Sequence, residues 1–240
     1  MNYALILAGV TGSRFWPLSI KLEPKQFLNL CSDRPMIEEA IHRIKSSIKK
    51  ENIYIANNKI YYKKIKNCLS SLGIPLENIL FEPEAKNTMA PIAVYSKIIY
   101  DLDKNEVIAV LPSDNNVKDK KKFIRIFRRG IDIAKINHIV TFGIAPTRPE
   151  TGYGYIKVKN PHHKDWRVRQ EFWRKKAKVY YRIEKFVEKP DILKAKRLIK
   201  DKRFYWNSGI FIFRADTLLK EMQKFIPKTY EILMQVKNKN

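Results

Sequence analysis

Apolar positions along the chain follow two alternating spacings. Short runs rich in β-branched and aromatic residues, typical of buried strands, lie at residues 3–8, 53–56, 79–82, 107–111 and 139–144. Between them, apolar residues recur every three or four positions, as on one face of a helix, at residues 36–49, 60–72, 90–102 and 120–136. This strand and helix rhythm predicts an α/β fold with a parallel, doubly wound sheet.

The pattern changes in the second half of the chain. Further strands, some of them antiparallel, are predicted at residues 155–158, 180–188 and 210–213, with a helix at 191–200. Residues 216–240 read as one or two helices broken at Pro227. We therefore expect a main domain over residues 1–215 and a helical tail over residues 216–240.

The charge balance is strongly basic, with 48 Lys and Arg against 24 Asp and Glu and a formal net charge of +24. Such a charge can indicate a nucleic-acid partner, but here the lysines are spread over the whole chain, so we do not expect one. Residues 164–178 are denser in basic and aromatic residues. A solvated hairpin or loop is the favoured interpretation of this segment, and a nucleic-acid or membrane patch is the alternative.

Membrane association is not expected either. No apolar run approaches the roughly 20 residues that a membrane helix needs, and the N-terminus has no cationic, apolar leader. The sequence therefore predicts a cytoplasmic protein.

A glycine-bearing turn follows the first predicted strand. Residues 7–18 read Leu-Ala-Gly-Val-Thr-Gly-Ser-Arg-Phe-Trp-Pro-Leu, and residues 24–27 read Pro-Lys-Gln-Phe. Backbone N–H groups at Gly9 and Gly12 can approach an anion closely, and Arg14 and Lys25 can supply cations to the same phosphates. Since ligands bind at the carboxyl ends of strands in open α/β sheets, Asp114, which follows the strand at 107–111, is a candidate for the same site. Glu82 also lies at a predicted strand end.

The chain resembles the sugar-nucleotidyltransferases, and within them the bacterial mannose-1-phosphate guanylyltransferases. The turn motif carries the resemblance, and five later blocks follow in the family's order: Glu-Pro-Glu-Ala-Lys-Asn-Thr at 82–88, Leu-Pro-Ser-Asp at 111–114, Thr-Gly-Tyr-Gly-Tyr-Ile at 151–156, Phe-Val-Glu-Lys-Pro at 186–190 and Trp-Asn-Ser-Gly-Ile-Phe at 206–211. The resemblance implies a Rossmann-like, GT-A-like three-layer sandwich with a mixed, mostly parallel sheet.

The resemblance also implies a reaction, in which GMP passes from GTP to mannose-1-phosphate and pyrophosphate is released, with Mg²⁺ as cofactor. It assigns catalysis to Arg14, Lys25 and Asp114, with Asp114 as the metal ligand. The remaining implied contacts are with the nucleotide (Ala8, Gly9, Gly12, Ser13, Asn87 and Thr88) and with the sugar phosphate (Gly154, Glu188, Lys189 and Asn207).

The chain departs from the family pattern in two respects. Within the motifs, Ala85 and Lys86 stand where the family usually has Gly and Arg, Asn115 where it usually has His, and Ile20 where it usually has Arg. The family's later Asp-Val-Gly-Ser-Trp segment, whose aspartate supplies a second metal ligand, has no counterpart here, so we expect the tail to be the start of a truncated C-terminal part. Three alternatives therefore stay open: a non-catalytic nucleotide-binding remnant, a split enzyme that needs a complementing C-terminal chain, and a nucleotidyltransferase for another hexose-1-phosphate. A homodimer is a further open possibility.

Overall fold

The computed structural model describes residues 1–9, 16–20, 23–82, 88–159 and 180–236. The chain divides into two compact units, a first unit of Met1–Thr141 with Gly209–Asn240 and a second unit of Phe142–Ser208. The strands are β1 (Asn2–Leu7), β2 (Ile53–Asn58), β3 (Ile79–Glu82), β4 (Val107–Pro112), β5 (Val140–Ile144), β6 (Tyr155–Val158), β7 (Ile183–Val187) and β8 (Phe204–Arg214). The helices are α1 (Met36–Ile44), α2 (Tyr62–Leu72), α3 (Met89–Leu102), α4 (Lys120–Ala134), α5 (Ile192–Leu198), α6 (Ala215–Phe225) and α7 (Pro227–Met234).

The sheet of the first unit is parallel at its centre. Strands β3, β2, β1 and β4 lie in that order and pair in parallel, and the C-terminal half of β8 pairs antiparallel with β4. Strand β5 also pairs with β8. The mixed, mostly parallel sheet predicted from the sequence is therefore confirmed.

Helices cover both faces of this sheet. Alternate strand residues such as Leu5 and Leu7 join a buried cluster with residues of α3, α6 and α7. The intervening Ala4 and Ile6 are fully buried on the opposite face, where α1 contacts β1 and α4 contacts β4. Burial on both faces explains why these strands read as continuous apolar runs, and it confirms the three-layer architecture.

The second unit is built on an antiparallel pairing. Strand β6 lies between β7 and the N-terminal half of β8 and is antiparallel to both. Ala195 of α5 packs in a small buried cluster with Tyr155, Val187, Phe204 and Trp206. The antiparallel character predicted for the later strands is confirmed.

Strand β8 and helix α1 differ most from the bounds predicted from the sequence. Strand β8 starts at Phe204 rather than at residue 210, because its first half pairs with β6 and its second half with β4. Helix α1 ends at Ile44 rather than at residue 49.

The predicted tail forms α6 and α7, which meet at Ile226, with Pro227 as the first residue of α7. Apolar side chains of both helices, including Leu219, Met222 and Leu233, belong to the buried cluster of the first unit. Among the described residues, no helix is both long and apolar enough to cross a bilayer. The basic and aromatic segment at 164–178 lies outside the described residues.

Candidate functional site

The carboxyl ends of the parallel strands bring predicted ligand positions to one level of the first unit. Leu7 pairs with Ala56 of β2 and with Pro112 of β4. The backbone continues this alignment, since the N–H of Ser113 donates to the carbonyl of Leu7 at 3.1 Å. Gly9 and Asp114 each lie two residues beyond this paired row, so the turn after β1 and the residue after β4 leave the sheet at the same edge.

Lys25 and Asp114 form an ion pair at this edge. The ammonium of Lys25 donates to Oδ2 of Asp114, and the two side chains are 12% and 27% exposed. Lys25 belongs to a short 3₁₀ turn, Lys25–Phe27, that follows Pro24. The structure thus brings together the predicted cation and the predicted metal ligand, which are 89 residues apart in the chain.

Gln26 anchors the lysine segment to the glycine turn. Its side chain is buried, and its Nε2 donates to the carbonyl of Ala8 at 2.6 Å. The N–H of Ala8 donates in turn to the carbonyl of Ala56 at 2.9 Å. Ala8 is therefore held on both sides, and the motif glutamine, to which the sequence analysis gave no role, fixes Lys25 relative to Gly9.

Glu82 was predicted to lie with Gly9 and Asp114 at the strand ends, but without a defined role. It ends β3, and its carboxylate reaches the turn after β1, where a Cβ placed on Gly9 would lie 3.1 Å from Oε1 of Glu82. Burial raises the pKa of this carboxyl group. Its position at the end of a predicted strand was the available signal, but the contact with Gly9 depends on strand order.

The second unit gathers the predicted sugar-phosphate residues. A Cβ on Gly154 would lie 2.9 Å from Oε2 of Glu188 and 3.7 Å from Cβ of Asn207, so a larger residue at 154 would displace the Glu188 carboxylate. The N–H of Asn207 donates to the carbonyl of Gly154 at 2.8 Å. Lys189 has a φ of 35°, in the left-handed region that lysine seldom adopts, and its Nζ lies 3.6 Å from Oε1 of Glu188. Both charged side chains are exposed.

The remaining predicted positions are less defined. Thr88 immediately precedes α3. The residue is exposed, and its side chain makes no hydrogen bond that caps the helix. Gly12, Ser13, Arg14 and Asn87 lie outside the described residues.

The described residues fit a divalent cation only in part. No group of three or more His, Cys, Asp and Glu side chains comes together within the described ranges. Asp114 offers one partly exposed carboxylate at the strand edge, beside a lysine that can pair with phosphate. Mg²⁺ is commonly held by one or two carboxylates together with substrate phosphates, so this donor set suits a cation that arrives with a triphosphate.

Comparisons with known proteins show the family to which the chain belongs. The nucleotidyl transferase family model matches residues 3–240. The chain is 36% identical over 231 residues to the mannose-1-phosphate guanylyltransferase of Salmonella montevideo, covering 95% of this chain and 46% of that protein. It is 34% identical to the alginate biosynthesis protein AlgA of Pseudomonas fluorescens, covering 95% and 44%. The chain thus spans less than half of the length of these relatives.

Solved structures show the same likeness. A Thermus thermophilus protein described as mannose-1-phosphate geranyltransferase matches with a TM-score of 0.79 at 27% identity, over 98% of this chain and 63% of that one. A Helicobacter pylori protein described as mannose-6-phosphate isomerase matches with a TM-score of 0.73 at 27% identity, over 98% and 79%. With the family model spanning nearly its whole length, this chain belongs to the nucleotidyl transferase family.

Proposed function

We propose that the protein transfers GMP from GTP to mannose-1-phosphate, giving GDP-mannose and pyrophosphate. A phosphate oxygen of the sugar phosphate attacks the α-phosphorus of GTP, and the bond from that phosphorus to the bridging oxygen of the β-phosphate breaks. The electron pair leaves with pyrophosphate. Such a reaction needs no protein nucleophile, because positioning of the two anions and stabilisation of charge on the leaving group account for the catalysis.

The observation that carries this proposal is the ion pair of Lys25 with Asp114 at the edge where Gly9 leaves the sheet. In this assignment the backbone of Ala8 and Gly9 contacts the triphosphate, and Lys25 stabilises the developing charge on pyrophosphate. Gly12, Ser13 and Arg14 are assigned to the same phosphates by the motif alone.

We assign Asp114 as the ligand of Mg²⁺. Asp114 would hold Mg²⁺ at the edge of the sheet, where the ion would supply positive charge that neutralises the phosphates. Lys25 would exchange its carboxylate partner for a phosphate oxygen. This exchange costs little because the pair is partly exposed and each charge keeps an opposite charge beside it.

Glu82 supports guanine as the base. A carboxylate has only acceptors when ionised, and the Watson–Crick edge of guanine offers two donors, whereas that of adenine offers only one. Glu82 lies beside Gly9, where the nucleotide turn begins. Asn87 and Thr88, which follow in the same motif, are assigned to the base and its ribose.

The sugar phosphate is assigned to the group formed by Gly154, Glu188, Lys189 and Asn207. Glu188 can accept hydrogen bonds from sugar hydroxyls, Asn207 can donate and accept, and Lys189 can pair with the phosphate. The carboxylate of Glu188 lies beside Gly154 and is exposed, so a bound sugar phosphate could reach it.

The test is a pyrophosphate-release assay that crosses GTP, ATP, UTP and dTTP with mannose-1-phosphate and glucose-1-phosphate in the presence of Mg²⁺. The highest kcat/KM is expected for GTP with mannose-1-phosphate. A preference for UTP or dTTP would overturn the guanine assignment. GTP binding by calorimetry without turnover would instead favour the non-catalytic or split-enzyme alternative.

A further inference from the structure

A cavity lies in the first unit, and none of its described lining residues belongs to the predicted catalytic set. Its volume is about 380 Å³, within the range of about 300–1,000 Å³ that is typical of small-molecule sites. It lies between the start of α1 with the preceding loop and the segment that follows Asp114. Its described lining includes the four cations Arg34, Arg43, Lys118 and Lys120, and one carboxylate, Glu39.

Arg43 is the unusual member of this lining. The residue is only 7% exposed, and its Nη2 donates to the carbonyl of Asn115 at 2.6 Å. Its Nε and Nη1 are buried and have no hydrogen-bond partner among the described residues. The guanidinium also lies over the ring of Phe123, with Cζ 5.6 Å from the ring centroid.

Glu39 does not satisfy these donors. Its Oε1 accepts from the hydroxyl of Ser32 at 2.8 Å, and its Oε2 accepts from Nζ of Lys120 at 3.1 Å. Buried guanidinium groups are normally hydrogen-bonded to an anion, because an uncompensated buried charge and each unmade hydrogen bond are costly. Burial lowers the pKa of Arg43, and the attraction of Glu39 only partly opposes this effect.

We propose that this cavity is a binding site for a phosphate group, held by Arg43 at its base and by Arg34 and Lys118 at its mouth. Phosphate fits because it presents several acceptor oxygens to the fork of an arginine, and a planar guanidinium binds it in bidentate fashion. The exposed side chains of Arg34 and Lys118 can fold over the same anion. The shared ligand chemistry is a phosphate, either free or as a monoester of a small molecule.

The test titrates inorganic phosphate and, separately, glycerol-3-phosphate into the full chain by calorimetry. Side-chain Nε–H signals of arginine are followed by NMR in parallel, with Arg43 assigned through bonds. Both probes are expected to bind and to shift the Nε–H signal of Arg43. Tighter binding of the monoester would identify an ester as the source of the phosphate, and equal binding would identify the free ion.

Two double variants separate a built site from general basicity. Arg34→Gln with Lys118→Gln is expected to weaken phosphate binding about three- to tenfold, since it removes two exposed cations from the cavity mouth. The matched control, Lys66→Gln with Lys121→Gln, removes the same charge from exposed positions outside the cavity and is expected to leave binding unchanged. Both pairs lie on the surface, so both variants should fold.

Arg43→Lys keeps the positive charge but loses the fork, and it is expected to weaken binding further. Lys25→Ala, in the predicted catalytic set, is expected to leave phosphate binding in this cavity intact. The proposal fails if millimolar phosphate neither binds nor moves the Arg43 signal. It also fails if the two double variants weaken binding equally, or if binding disappears in Lys25→Ala.

Discussion

Replacing Asp114 with Asn separates the proposed metal role of this residue from its structural role. The amide has nearly the same shape as the carboxylate and keeps an oxygen that can accept from Lys25, but it removes the negative charge. Under the proposed function, the fold should therefore survive while catalysis is lost. The partial exposure of both members of the ion pair, 12% and 27%, makes the structural effect small.

The expected magnitudes differ widely. A hydrogen bond to a charged group contributes about 1.5–3 kcal/mol to stability, roughly twice as much as a hydrogen bond between neutral groups. Replacing the carboxylate with an amide keeps the hydrogen bond but removes the charge. The substitution should therefore cost about 1 kcal/mol of stability. For a chain of this size that corresponds to a fall in Tm of about 2–4 °C. Loss of a metal ligand affects several kcal/mol of transition-state stabilisation, so kcat should fall at least about 100-fold.

The assay measures pyrophosphate release over a range of Mg²⁺ concentrations, together with thermal unfolding of the same samples. Asp119→Asn is the matched control, because it makes the same chemical change five residues further on. The Asp119 side chain caps α4 by accepting from the N–H of Lys122, a role that Asn fills equally well. A rate for Asp114→Asn within a few-fold of the unmodified chain, with unchanged Mg²⁺ dependence, would refute the metal assignment.

Three further predictions test neighbouring parts of the site. Lys25→Ala should raise KM for GTP and also lower kcat, because the ammonium of Lys25 would act in both the ground state and the transition state. Steady-state kinetics that show an unchanged KM would contradict this role. Glu82→Gln should raise Tm near neutral pH, because a carboxyl group with a raised pKa stabilises the fold only in its protonated form, and that contribution is lost as pH rises. Tm measured from about pH 4 to about pH 8 should show that the gain shrinks on acidification. Gly154→Ala would place a methyl group 2.9 Å from the Glu188 carboxylate, so KM for mannose-1-phosphate should rise while KM for GTP stays constant.

The parallel strands could be predicted from sequence because helices cover both of their faces, which makes each strand a continuous apolar run. Strand β8 could be predicted only in its second half. Its polar stretch at Asn207, Ser208 and Gly209 interrupts the apolar pattern. Gly209 has a φ of 73°, and a Cβ placed on it would lie 3.1 Å from the side chain of Pro112. Local apolar periodicity does not reveal the full length of a strand that pairs with different partners in its two halves.

The contacts within the candidate site depend on strand order and register, which motifs do not contain. The sequence places Gly9, Glu82 and Asp114 at strand ends, but the common level of Gly9 and Asp114 follows from the pairing of Leu7 with both neighbouring strands. Glu82 reaches Gly9 because β3 lies two strands from β1 in the same sheet. A shift of one residue in the register of β3 would turn the Glu82 side chain to the opposite face and remove the carboxylate from Gly9. Under the proposed function, base choice would then depend on the pairing of β3 as much as on the residue at its end, and a motif that begins at Glu82 does not contain that pairing.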